Sequence, residues 1–180
     1  MKKILFSLSL LFLFTGCSLS NTPTSKVESY LNQYNNLTDN VIEDIDTTVA
    51  AENLNSDNTL AYKEVLKRQY KDLKYEVKEE SIDGEEATVK VKITVYDLYL
   101  ADKNSREYMN SHMNEFYDND NMFDENLYYK YKIENMSKVS DKIDYNITFK
   151  LVKKDKEWVL QTPDRVTLEK IHGLYNYEND

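Results

Sequence analysis

The chain has 180 residues, 31% of them charged and 12% aromatic, and carries a formal net charge of −9. That length suits one domain with a sizeable core, and the acidic balance excludes the basic footprint of a nucleic-acid binder. Three Gly, two Pro and a lone Cys favour helices and long strands over a loop-rich sandwich and allow no disulfide within one copy.

Residues 1–16 read as a lipoprotein signal peptide. Lys2-Lys3 is a positive start, and residues 4–14 form an apolar run too short to span a bilayer. The run ends in Phe14-Thr15-Gly16-Cys17, which resembles the bacterial lipobox, with Phe14 where that motif prefers Leu. Only a thiol can form the thioether to diacylglycerol, and small residues before it admit the signal peptidase. Cys17 is therefore the expected lipidation site, and its acyl chains (palmitate among them) would hold the protein on the outer face of the cell membrane. Removing residues 1–16 takes away Lys2 and Lys3 and moves the charge from −9 to −11. Residues 17–24 read as lipidated Cys and tether, and 25–176 as one domain.

Ser25 with Glu28 reads as a capping box opening a helix. Val27, Tyr30, Leu31, Tyr34, Leu37, Val41, Ile45 and Val49 recur at spacings of three and four, predicting one long helix whose stripe packs on a core rather than in a coiled coil. Ser56 or Asp57 caps a second helix with the stripe Tyr62, Val65, Leu66, Gln69 and Leu73.

The residues from Lys74 onward change period. Tyr75 and Val77, then Ala87, Val89, Val91, Ile93 and Val95, alternate with polar neighbours as half-buried strands do, and Asp83-Gly84 supplies the turn. Asp97 then falls in the apolar register. Either the strand has ended or bulged, or the carboxylate lines a cavity, which makes Asp97 the candidate pocket-lining residue.

Asn104 or Ser105 caps a third helix bearing Tyr108, Met109, His112, Met113 and Phe116, with His112 expected as a hydrogen-bonded core histidine. The acidic loop 118–125 fails the calcium-loop template, which needs an oxygen where Met122 stands and Gly where Phe123 stands. It reads as a solvated connection with Asp124 or Asn121 near the start of a fourth helix, through Leu127, Tyr128, Tyr131 and Met136. Ile143, Tyr145, Ile147, Phe149 and Leu151 form a third strand, Trp158 and Leu160 a fourth. Thr162-Pro163 starts a last helix that Gly173 ends, with His172 near the carbonyl dipole and the residues from 176 frayed. Tyr128, Tyr129 and Tyr131 point in different directions and are expected to cover the sheet.

The expected fold is thus α+β: an antiparallel sheet of two hairpins packed against several helices, in the order α-α-β-β-α-α-β-β-α. Behind a lipobox, with Pro23-Thr24-Ser25-Lys26-Val27-Glu28, Arg68-Gln69-Tyr70-Lys71-Asp72-Leu73, Gly84-Glu85-Glu86-Ala87-Thr88-Val89 and Lys170-Ile171-His172-Gly173-Leu174-Tyr175, the chain resembles small lipoproteins of low-GC Gram-positive bacteria. Their layout is similar to the cystatin-like and nuclear-transport-factor-2-like (NTF2-like) groups. That resemblance implies helices in the curve of an antiparallel sheet, and it carries over no catalytic residue.

No nucleophile, metal or phosphate-loop signature is present in the sequence, so no catalytic residue, metal ligand or cofactor is expected. The expected role is a non-catalytic binding module, with the bilayer as one partner through Cys17 and an envelope protein or wall polymer as another. The alternatives are a carboxylate-based enzyme using Asp97 with Glu79 or Asp144 on a cell-wall substrate, for instance a wall glycan, or on a small molecule, and the substrate-binding subunit of an importer.

Overall fold

The structure, a computed structural model, describes residues 21–179. The signal peptide and Cys17 lie outside the described residues. The architecture is α+β, and the elements follow the expected order: α1 (Pro23–Asn35), α2 (Asp39–Ala50), α3 (Ser56–Lys71), β1 (Lys74–Asp83), β2 (Glu86–Tyr96), α4 (Leu98–Ser111), a 3-10 turn (Met113–Phe116), α5 (Glu125–Lys138), β3 (Lys142–Lys154), β4 (Glu157–Leu160) and α6 (Arg165–His172). The four strands form one antiparallel sheet in the order β1-β2-β3-β4.

Alternation sets the two faces of that sheet. Val89, Val91, Ile93 and Val95 pair with Phe149, Ile147, Tyr145 and Ile143, and all but the partly covered Ile143 are buried. The side chains between them, Lys90, Lys92 and Thr94 opposite Thr148, Asn146 and Asp144, form a wet face. A bulge between Val77 and Glu79 bends the edge strand β1. Helices α1, α3 and α6 pack on the apolar face, α2 packs on α3, and α4 and α5 form an outer pair against α3.

The apolar stripe predicted as one long helix is divided between two. Val27, Leu31 and Tyr34 of α1 and Val41, Ile45 and Val49 of α2 are all buried, but Leu37 adopts φ 46° and turns the chain between them. Helix starts also move. Thr22, with Ser25 in a reciprocal capping box, starts α1 at Pro23, and Asn55 rather than Ser56 or Asp57 caps α3. Asp164 caps α6, leaving Pro163 just outside it. Gly173 ends α6 at φ 72° as expected. Leu174 N donates to Glu169 O and Gly173 N to Lys170 O, the paired bonds of a Schellman ending.

The residues from 176 are not frayed. Tyr177 and Glu178 lie in a 3-10 turn (Tyr177–Asn179). Tyr177 OH donates to Asp97 Oδ2 (2.9 Å), and Glu178 pairs with Lys103 and accepts from Tyr99 OH. Asn21 is equally engaged at the other end of the described chain. No helix among the described residues is long and apolar enough to cross a membrane.

Candidate functional site

Asp97 ends β2 and begins α4. Its backbone N–H donates to Asp141 O (3.0 Å), and its Oδ1 accepts from Leu100 N (3.0 Å) as the N-cap of α4. Its Oδ2 takes the Tyr177 hydroxyl; burial, followed by this carboxylate, pushes the Tyr177 pKa up to about 12. The out-of-register carboxylate therefore marks the strand end and is structurally engaged through both oxygens.

Asp97 also borders an open groove of about 480 Å³ between α4 and α5. Asn104, Tyr108, Tyr131, Asn135, Lys138 and Ser140 contribute to its walls. No strand residue lines it, so the groove that Asp97 borders lies between two helices and not between helices and sheet.

Inside the pair, Ser105 is fully buried and donates to Ala101 O (2.7 Å) while accepting from Asn135 Nδ2 (3.2 Å). Asp102 of α4, 14% exposed at its side chain, pairs with Arg106 and with Lys132 of α5 (3.1 Å), holding the two helices at a fixed separation. Asn104 and Ser105 are interior to α4 and cap nothing, because Asp97 starts the helix two turns earlier.

One wall is aromatic. Tyr108 stacks on Tyr131 at 4.9 Å between ring centroids and 24°, and His112 stacks on the other side of Tyr108 at 4.1 Å and 9°. The Tyr108 hydroxyl donates to Glu115, which raises its pKa. His112 is exposed, not a core histidine: α4 ends at Ser111, so the helical phase that would have turned His112 inward is lost. The tyrosines of α5 do not cover the sheet. Tyr128 packs on Phe116 and Phe123, and Tyr129 lies near the Lys132 ammonium.

The other carboxylates considered for catalysis lie elsewhere. Glu79 pairs with Lys90 (2.8 Å), and Asp144 pairs with Lys92 (2.6 Å) and accepts from Thr94 Oγ1 (2.6 Å), all at the wet face of the sheet. Lys92 and Thr94 hold the Asp144 pKa below its usual value. Neither acid meets Asp97. Asp124 caps α5, and Asp118 Oδ1 accepts from Asp120 N and Met122 N, so the acidic loop spends these groups on its own backbone. Among the described residues no group of three or more His, Cys, Asp or Glu could hold a metal ion.

A second cleft, of about 550 Å³, lies between α3 and α5 and is lined by residues including Asn55, Asn58, Leu127 and Ile133. Asn58 is committed there to Asn126 O (3.0 Å).

His172 is half-buried. Burial lowers its pKa to about 4, so the ring is neutral at pH 7 and its Nδ1 meets the Tyr70 hydroxyl at 2.5 Å. A neutral imidazole makes a hydrogen bond here, not the charge–dipole contact expected of it.

Fold and groove together define a small α+β domain with a polar, partly aromatic cleft on its outer helix pair. No protein-family profile and no curated protein matches the chain. It is similar to a solved structure, the proposed lipoprotein YcdA of Bacillus subtilis, with 16% identity and a TM-score of 0.42. The alignment covers 83% of this chain and 47% of that one, so the chain spans about half the length of that protein.

Proposed function

We propose that the protein is a lipoprotein anchored through Cys17 at the extracytoplasmic face of the cell membrane, acting as a non-catalytic module that binds a polar ligand in the α4–α5 groove. The anchoring half rests on the lipobox-like Phe14-Thr15-Gly16-Cys17 behind an apolar run. The observation that carries the binding half is the groove's lining. Side-chain amides and a hydroxyl (Asn104, Asn135, Ser140) stand beside the stacked Tyr108–Tyr131 pair. With Lys138 and Asp141 also in the lining, hydrogen-bonding groups next to an aromatic wall suit a hydroxyl- or amide-rich polymer such as a wall glycan or its peptide stems.

A binding role also accounts for the acids. Asp97 is engaged as a cap and a tyrosine acceptor, and Glu79 and Asp144 are neutralised by lysines at another face. Within this reading the layout, helices against one face of an antiparallel meander, is of the cystatin-like or NTF2-like kind.

Calorimetric titration with solubilised wall glycopeptides tests it. Tyr131→Ala, which removes half of the aromatic wall, should weaken binding by roughly tenfold, the effect of about 1.4 kcal/mol. Unchanged affinity in that variant would remove the groove from the account, and turnover of the glycopeptide would replace binding with catalysis.

A further inference from the structure

The start of the described chain is latched to one pole of the domain, and the groove lies at the other. Asn21 donates through Nδ2 to Lys156 O (2.8 Å) and accepts from Trp158 N (3.0 Å), binding the head of α1 to the β3–β4 turn. Thr24 N donates to Glu80 Oε2 (2.8 Å) on β1, and Lys26 pairs with Glu157 (3.3 Å). The two hairpin turns lie side by side, since Lys153 N donates to Glu85 O (2.8 Å).

From that pole β2 runs for 11 residues, about 35 Å at ~3.3 Å per residue. At its far end Asp97 meets Asp141, and with Ser140 both border the groove. Asn21 follows Cys17 by four positions, a span of at most ~14 Å even fully extended.

We infer that the domain stands on the bilayer by its hairpin turns and presents the α4–α5 groove away from the membrane. This rests on lipid attachment at Cys17. A linker this short leaves the hairpin pole within reach of the headgroups, and the latch prevents α1 from swinging free to lengthen it. Tilting the domain flat is opposed by charge. The chain from Cys17 onward carries −11, and an anionic leaflet repels it within a Debye length. At the hairpin pole Lys26, Lys153, Lys154 and Lys156 stand among Glu80, Asp83, Glu85, Glu86, Asp155 and Glu157, a net of −2, so most of the −11 lies on the rest of the domain and is kept farthest from the headgroups when the turns face them. The bilayer surface is thus the partner of the turns, and the groove is left for a ligand in the wall space.

The chain's one tryptophan, Trp158, lies at the hairpin pole and provides a native reporter. The chain from Cys17 onward is coupled through the Cys17 thiol to maleimide-headgroup lipid in phosphatidylcholine–phosphatidylglycerol vesicles that contain dansyl-headgroup acceptors. Energy transfer from Trp158 should be efficient. In a Trp158→Phe background, Ile82→Trp beside the β1–β2 turn should transfer at least about twofold better than Ser140→Trp at the groove. If the Trp158→Phe background fails to fold, adding Ser140→Trp to the otherwise native chain serves instead, and it should leave dansyl emission unchanged. Equal transfer from the two positions, stronger transfer from Ser140→Trp, or a rise in dansyl emission in the native background overturns the orientation. Because the coupling is chemical, absence of fatty-acid labelling in cells would sink native anchoring without altering this result.

Discussion

Gly173→Ala is the substitution that most sharply tests how α6 closes onto the sheet. Gly173 sits at φ 72°, and a Cβ built there falls inside van der Waals contact of both Tyr96 O and Gln69 Nε2, with Gln69 Cδ at 3.3 Å. Gln69 cannot simply yield. It is 1% exposed, and its Oε1 accepts from Tyr96 N (3.0 Å) while its Nε2 reaches Ile171 O (3.4 Å). The left-handed conformation alone costs an L-residue about 1–2 kcal/mol. Overpacking against a backbone oxygen and a committed buried amide adds roughly 1–3 kcal/mol. The sum, about 2–5 kcal/mol, is a large share of the 5–15 kcal/mol that typically holds such a domain. At a urea slope of roughly 2 kcal/mol per molar, the midpoint should fall by about 1–2.5 M. Gly84→Ala is the control: it has φ 61° but nothing within 4 Å of the added Cβ, so it should lose only about 1–2 kcal/mol. Equal losses in the two variants would refute the close approach of Gly173 to Tyr96 and Gln69.

Asp97→Leu removes both the α4 cap and the acceptor for Tyr177, and should destabilise by about 2–3 kcal/mol in chemical denaturation; Asp97→Asn, which can still cap, should lose no more than about 1 kcal/mol. His172, with its pKa lowered from 6.5 to about 4 in the fold, contributes stability that is complete above pH 6.5. As pH falls from about 6.5 toward 4 the unfolded chain takes up that proton first, so about 1–3 kcal/mol should be lost over this window, and His172→Phe should flatten the profile there. A pH profile of unfolding free energy that keeps its slope in His172→Phe would contradict the assignment. Cys17→Ser should abolish incorporation of labelled palmitate and leave the protein uncleaved or shed, whereas an unlabelled wild type would remove the anchor.

The sheet was readable because period-two alternation survives through β2 and β3 and through β1 as far as its bulge: Val91 and Ile93, 1% and 0% exposed, fall where the pattern placed them. The helical stripe was readable as burial but not as continuity. Leu37 keeps the spacing of three and four while its backbone turns left-handed, and no Gly or Pro announces the break. Thr38 at the N-cap position of α2 was the available signal.

Asp97 was visible as an anomaly, and its cap bond to Leu100 N is local, but its other partner Tyr177 lies on a distant element whose arrangement no local pattern encodes. The same holds for the groove. Missing the cap at Asp97 displaced the start of α4, and assuming that the helix ran on past Ser111 turned His112 inward. The stacking of Tyr108 between Tyr131 and His112 depends on how two helices pack, which periodicity does not report.

The central claim is that the α4–α5 groove binds a polar wall ligand, and amide chemical-shift mapping addresses it directly. Adding a solubilised wall digest to isotope-labelled protein should shift Asn104, Tyr131, Asn135 and Ser140 together, and Tyr131→Ala should reduce those shifts. Shifts gathered instead on Asn58, Leu127 and Ile133 of the α3–α5 cleft, or no shifts at any digest concentration, would contradict it.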